Sequence, residues 1–201
     1  MKKSLLIAIA AIISMSANAQ KKEVVSQDTI PVVNGVYQYQ EIVNVDNTFK
    51  KDQLYRNAKL YFMDVFPGAK DAFQYDDKQE GRIIGKGFLT VDDYKSTFPA
   101  VAVLRWDVNY NTEIICKDGK YQVRLYNILI TKEYHVSESN SRNVHLTVKD
   151  AYDAAPRQRG PYKSLYPKVI SKMMAELIAN VNTLKQSMVK DQPDFSVAVM
   201  K

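Results

Sequence analysis

The sequence predicts an α+β fold: a two-layer domain with helices packed on one face of an antiparallel β-sheet, in the order β-α-β-β-β-β-α. Three observations lead there. Leu54, Ala58, Tyr61 and Val65 recur at helical spacing after a first strand-like segment. From Leu104 to Cys116 apolar and polar residues alternate, and Asp118-Gly119 then separates this run from a second alternating run. Near the end, Ile170, Met174, Leu177, Val181, Leu184 and Met188 form a heptad-like stripe.

The 201-residue chain opens with Met1-Lys2-Lys3, an apolar run from Leu5 to Ile13, and the small-x-small step Ala17-Asn18-Ala19. This is the grammar of a cleavable secretory signal over residues 1–19. The apolar run is too short for a stable membrane anchor, and no later segment suits a transmembrane helix. An exported product, periplasmic or secreted, is therefore expected. Loss of Lys2 and Lys3 would lower the formal net charge of +6 by two, a mild excess that does not argue for nucleic acid as a partner. Cys116 is the only cysteine, so no internal disulfide and no cysteine metal site is expected.

Residues 20–34 are polar, include Pro31 and lack periodicity, and are expected to be a flexible arm. Residues 35–190 are expected to form one α+β domain. From Gly35 to Val45, Tyr37, Tyr39, Val43 and Val45 share one side of a strand. Asp46-Asn47-Thr48 offers N-cap residues for a helix from about Lys50 to Phe66, which Pro67-Gly68 stops. Ala72 to Asp76 is a short strand, followed by a polar turn and a return strand from Arg82 to Val91. Asp92 to Pro99 reads as a connector. Leu104 to Cys116 then pairs with Tyr121 to Tyr134, in which Tyr121, Val123, Leu125 and Leu129 are expected on one face. Residues 137–163 read as a long polar loop, with Val144 to Val148 as a candidate extra strand. A helix from about Leu165 to Val189 and a tail over residues 191–201 complete the chain.

The stretch Gly81-Arg82-Ile83-Ile84-Gly85-Lys86-Gly87 has glycines and a lysine but not the spacing of a phosphate-binding loop, and Lys86 is followed by glycine in place of Ser or Thr. On a strand, Gly85 and Gly87 share a face with Ile83, Leu89 and Val91. They are expected to give a flat floor for a helix; the alternative is room for a ligand. Glu133 and His135 share a strand face, but no third ligand has metal-site spacing, so no metal or other cofactor is expected. No Gly-x-Ser-x-Gly elbow occurs. Asp76, Asp77 and Glu80 read as a polar hairpin tip.

The candidate ligand surface is the sheet face turned away from the helices, carrying Arg82, Lys86, Phe88, Arg105, Asp107, Asn109, Arg124 and Tyr126. Mixed charge and a few aromatics there suit a polar ligand, or simply water.

Three segments carry a family resemblance: VDNTFKKDQLYRNAKLYFMDVF, FQYDDKQEGRIIGKGFLTV and EIICKDGKYQVRLYNILI. Leu-Tyr-x-x-Ala with aromatics, an acidic turn, Ile-x-Gly-Lys-Gly and Lys-Asp-Gly-Lys-Tyr together resemble the bacterial domain of unknown function 4468, over roughly Val36 to Tyr134. The resemblance implies a fold like that of the TATA-binding protein and export to the envelope. It brings no catalytic residues, and a DNA-binding namesake does not transfer a function. The expected role is a non-enzymatic binding or interaction domain, favoured as a monomer, with an envelope ligand or protein as partner. The alternatives are a hydrolase of envelope polymers and an assembly partner acting through the last helix.

Overall fold

The computed structural model describes residues 30–65, 73–97, 100–137 and 140–191, with side chains left out at 97, 100, 133–137 and 140–142. The expected signal peptide, most of the arm, the Pro67-Gly68 stop and the C-terminal tail beyond residue 191 lie outside the described residues, as do the side chains of Glu133 and His135.

A small hairpin, β1 (Val32–Val33) and β2 (Val36–Tyr37), precedes β3 (Tyr39–Asn44) and helix α1 (Lys51–Val65). Strands β4 (Phe73–Asp77), β5 (Arg82–Thr97), β6 (Ala100–Lys117), β7 (Lys120–Ser137) and β8 (Asn140–Thr147) follow, then α2 (Val148–Ala154), a 3-10 turn (Ala155–Arg157) and α3 (Tyr162–Met188). The main sheet is antiparallel, in the order β3-β7-β6-β5-β4, with β8 also paired to β7. β7 thus serves two partners along one edge: β3 opposite residues 120–125 and β8 opposite residues 129–137. The arrangement is the expected two-layer α+β one, an antiparallel sheet with its helices on one side.

The core lies between the sheet and the helices. α1 contributes Leu54, Ala58, Tyr61 and Phe62; α3 contributes its whole predicted stripe, from Ile170 to Met188, together with Val169 and Met173. Because that stripe is consumed inside the domain, it is not a seam for a second helix. Asn57 of α1 donates to the carbonyls of Met188 (2.8 Å) and Lys190 (2.9 Å), satisfying acceptors that the end of α3 leaves open. Cys116 is buried, and desolvation pushes its thiol up to about 12, so it is an inert core residue.

The glycines of the β5 stretch are explained by rings. A Cβ at Gly85 would lie 2.3 Å from the Phe62 ring of α1, and one at Gly87 would lie 2.2 Å from the Tyr110 ring of β6. Gly85 is the expected floor for a helix. Gly87 differs from expectation: its cover is a neighbouring strand's tyrosine, held by a 2.9 Å hydrogen bond from Asn180 of α3.

Five further expectations are corrected. The α1 N-terminus is not capped by Asp46-Asn47-Thr48. Asp46 instead accepts the Thr48 N–H, while Asp118 of the β6–β7 turn accepts the Lys51 N–H at 2.8 Å. Residues 92–97 are not a connector. β5 runs on to Thr97 in continuous register with β6, and its polar alternation was masked by Asp92 pairing with Arg105 and Asp93 with Lys172. Leu129 does not share the inner face with Leu125. Asn109 pairs with Leu129 and Asn111 with Tyr126, so Asn127 and Ile128 together oppose Tyr110 alone. This bulge, with Asn127 at φ 52°, shifts the parity, and beyond it Ile128, Ile130 and Lys132 point inward. The expected loop over 137–163 contains β8, α2 and the 3-10 turn. Thr147 and Asp150 form a capping box there, with Thr147 Oγ1 accepting the Asp150 N–H and Asp150 accepting the Thr147 N–H at 2.9 Å. Finally, residues 30–34 of the expected arm belong to the fold: Ile30 is buried and the β1–β2 hairpin turns through Asn34-Gly35.

Candidate functional site

Period-two alternation places all eight candidate residues on the outer face of the sheet, away from the helices. They divide into two groups by what they touch. At one end, Arg82 donates through Nε (2.8 Å) and Nη2 (2.6 Å) to Glu113, and Arg124 Nη2 lies 2.8 Å from the other carboxylate oxygen. Glu113 is only 3 % exposed although it sits on the open face, because the two guanidinium groups and their aromatic partners cover it. The Tyr75 ring lies 5.2 Å from the Arg82 guanidinium and the Tyr126 ring 4.3 Å from that of Arg124. Delocalised cations stack well on such faces.

At the other end, Arg105 grips Asp92 through two bonds of 2.9 and 2.8 Å, and this holds the Asp92 carboxyl below its ordinary range. Asp107 accepts from the Thr90 hydroxyl at 2.8 Å. The Asp92 carboxylate is thus stabilised as an anion, which suits it to accepting hydrogen bonds and unsuits it as a proton donor.

Between the two ends the face is open. Lys86 is exposed, aligned through Asn111 with Tyr126. One step along, Phe88 aligns through Asn109 with Leu129; Phe88 is 55 % and Leu129 40 % exposed. Sequence reasoning missed Leu129, since the bulge that turns it outward is signalled only by Asn127 interrupting Tyr126 and Ile128.

The same bulge builds a concavity that was not foreseen. β3 ends its pairing at Leu125 and β8 begins at Leu129, so residues 126–128 have neither strand opposite them. A cleft of about 550 Å³ opens there, with Val36, Tyr37, Ile128, Leu129 and Val148 as apolar walls and Asn127, Thr147 and Lys149 as polar ones. Its size is that of a small-molecule site. Tyr37 is fixed by stacking on Tyr152 of α2, with centroids 5.4 Å apart. Leu129 belongs to both the cleft and the open face.

The polar hairpin tip is structural. Asp76 accepts from Tyr55 and from Lys59 (2.6 Å), and Asp77 accepts the Glu80 N–H at 2.9 Å. His145 is exposed, with Nδ1 3.0 Å from Thr131 Oγ1. Among the described residues, no group of three His, Cys, Asp or Glu is placed to hold a metal.

Comparison with known proteins adds the following. Residues 39–131 match the family model described as a domain of unknown function (DUF4468) with TBP-like fold. No curated protein matches the sequence. Among solved structures, a TBP-like protein from Parabacteroides distasonis ATCC 8503 superposes with a TM-score of 0.58 at 13 % identity, covering 81 % of this chain and 99 % of that one. A DUF4468 family protein from Bacteroides ovatus ATCC 8483 superposes with a TM-score of 0.55 at 18 % identity, covering 85 % and 95 %. The acidic hairpin, the glycine floor and the Lys-Asp-Gly-Lys-Tyr turn all lie inside residues 39–131, the segment that matches the DUF4468 model with TBP-like fold.

Proposed function

We propose that this chain is a non-enzymatic binding or interaction domain of the bacterial envelope, exported by residues 1–19, and that it works through the open face of its sheet. The observation that carries the proposal is the uncovered middle of that face. Phe88 and Leu129 stand in one register row, 55 % and 40 % exposed, beside the exposed Lys86, whose ammonium has no ion-pair or hydrogen-bond partner among the described residues. Fixed cation–aromatic pairs and carboxylates frame this row, so a ligand would meet a surface ordered in advance, which limits the cost of binding. Among the described residues no helix is long and apolar enough to cross a membrane.

Thermal shift against pools of envelope glycans, lipids and peptides tests the proposal. A stabilising pool is expected, and its effect should vanish in Lys86→Ser/Phe88→Ser. No shift with any pool, or a shift that the double variant retains, would overturn it.

A further inference from the structure

We propose that the end of the open face carrying Lys117 and Lys120 docks an acidic protein segment that presents one apolar side chain. This rests on the open face being the contact surface and names the chemistry of its partner.

Lys117 and Lys120 are paired directly across β6 and β7 at the Asp118-Gly119 turn. Both are exposed, and neither makes an ion pair among the described residues. Like charges opposite one another in an antiparallel pair repel. The carboxylates around them are engaged elsewhere. Asp118 accepts the Lys51 N–H, Glu113 is held between Arg82 and Arg124, and Asp77 accepts the Glu80 N–H while standing opposite Arg82. Among the described residues neither lysine has an ion-pair partner to offset this repulsion, and an anionic partner would offset it.

Beside the two lysines lies a depression of about 220 Å³, whose lining includes Ile42, Ile115 and Gln122. These three belong to one register row, and Ile42 is 59 % exposed on its strand. The depression is smaller than a typical small-molecule site and suits a single side chain. An apolar anchor seated in a pocket and ringed by charge is the usual anatomy of a protein hot spot, with the charged rim guiding encounter and excluding wrong partners. A lipid surface could neutralise the lysines but has no side chain to seat in the depression, so a protein segment is the better fit.

A random peptide library displayed on phage, selected on the full chain, is the test. Enriched peptides should place Asp or Glu around one aliphatic or aromatic residue. A synthesised winner should bind Lys120→Glu and Ile42→Ser at least about tenfold more weakly than the parent, and should weaken further as salt is raised to roughly 0.5 M, where screening is strong. Lys120→Glu should melt no lower than the parent, because it turns a repulsive cross-strand pair into an attractive one. Enriched peptides without acidic bias, or unchanged binding to Lys120→Glu, would overturn the proposal. Sedimentation of the chain with anionic phospholipid vesicles while acidic peptides fail would also overturn it, in favour of a membrane surface. If Lys86→Ser/Phe88→Ser abolishes binding and Lys120→Glu does not, the open-face reading stands and this docking site falls. If neither variant affects binding, both fall.

Discussion

The inner and outer faces of one sheet are built from the same strands, yet they obey different rules. On the inner face of β5, two glycines are dictated to within a fraction of an ångström by the rings of Phe62 and Tyr110. On the outer face of the same strand, Lys86 and Phe88 are exposed to solvent. The lesson is that adjacent residues of one strand can differ wholly in why they are present: Gly85 for the fold, Lys86 for whatever approaches the fold. Substitutions can sharpen this contrast or break it.

The largest effect is expected at Gly85. Gly85→Val forces a branched side chain into a fully buried ring, and overpacking with no room to relax should cost about 3 kcal/mol or more. Phe62→Ala/Gly85→Val should be less destabilised than the sum of its parts, since removing the Phe62 ring removes the clash. Urea denaturation of the four proteins measures this. An innocuous Gly85→Val would mean that the glycines are not packing devices.

Glu113 comes next and tests whether the outer face is purely a contact surface. Glu113→Ala leaves two guanidinium groups without their anion. Both remain about a third exposed, so water recovers part of the loss, and a cost of about 2 kcal/mol is expected. The bulge is a third test. Asn127→Val puts a β-branched residue at φ 52°, at a cost of about 1–2 kcal/mol, whereas Asn127→Gly should be close to neutral.

A smaller effect belongs to Asp92, whose carboxyl is depressed chiefly by Arg105. A carboxylate with a lowered folded pKa contributes stability above its unfolded value of 3.8, and that contribution is lost as the pH falls through the lower folded value. The pair is well exposed, so Asp92→Asn should cost well under about 1 kcal/mol at neutral pH. The difference in melting temperature from the parent should close as the pH is taken below 3.8. A gap that persisted in strong acid would assign the effect to packing.

The contrast also explains what could be read in the sequence. The inner face was legible because burial imposes a period: Leu54 to Phe62, Leu104 to Cys116 and Ile170 to Met188 all point inward as their spacing requires. The eight outer-face candidates followed from the same alternation. Where one residue broke the period, reading failed. Asn127 inserted a bulge, moved Leu129 to the outside and created the cleft beside it, none of which a two-residue repeat can announce. Residues 92–97 looked like a connector because Asp93 and Lys95, which reach Lys172 and Ser164 of α3, replace the apolar half of the pattern. The capping box of Thr147 and Asp150 was present in the sequence but hidden in a polar stretch. Partners such as Glu113 for Arg82, or Asp92 for Arg105, depend on register and emerge only with the sheet assembled.

The central claim is that one face of this sheet holds the domain together while the other is free to bind. The most direct measurement sets the urea midpoint of Lys86→Ser/Phe88→Ser beside its thermal shift with the stabilising pool. The account predicts an unchanged midpoint, within the roughly 0.5 kcal/mol typical of surface changes, and loss of the ligand-induced shift. A lowered midpoint with the shift intact would contradict it.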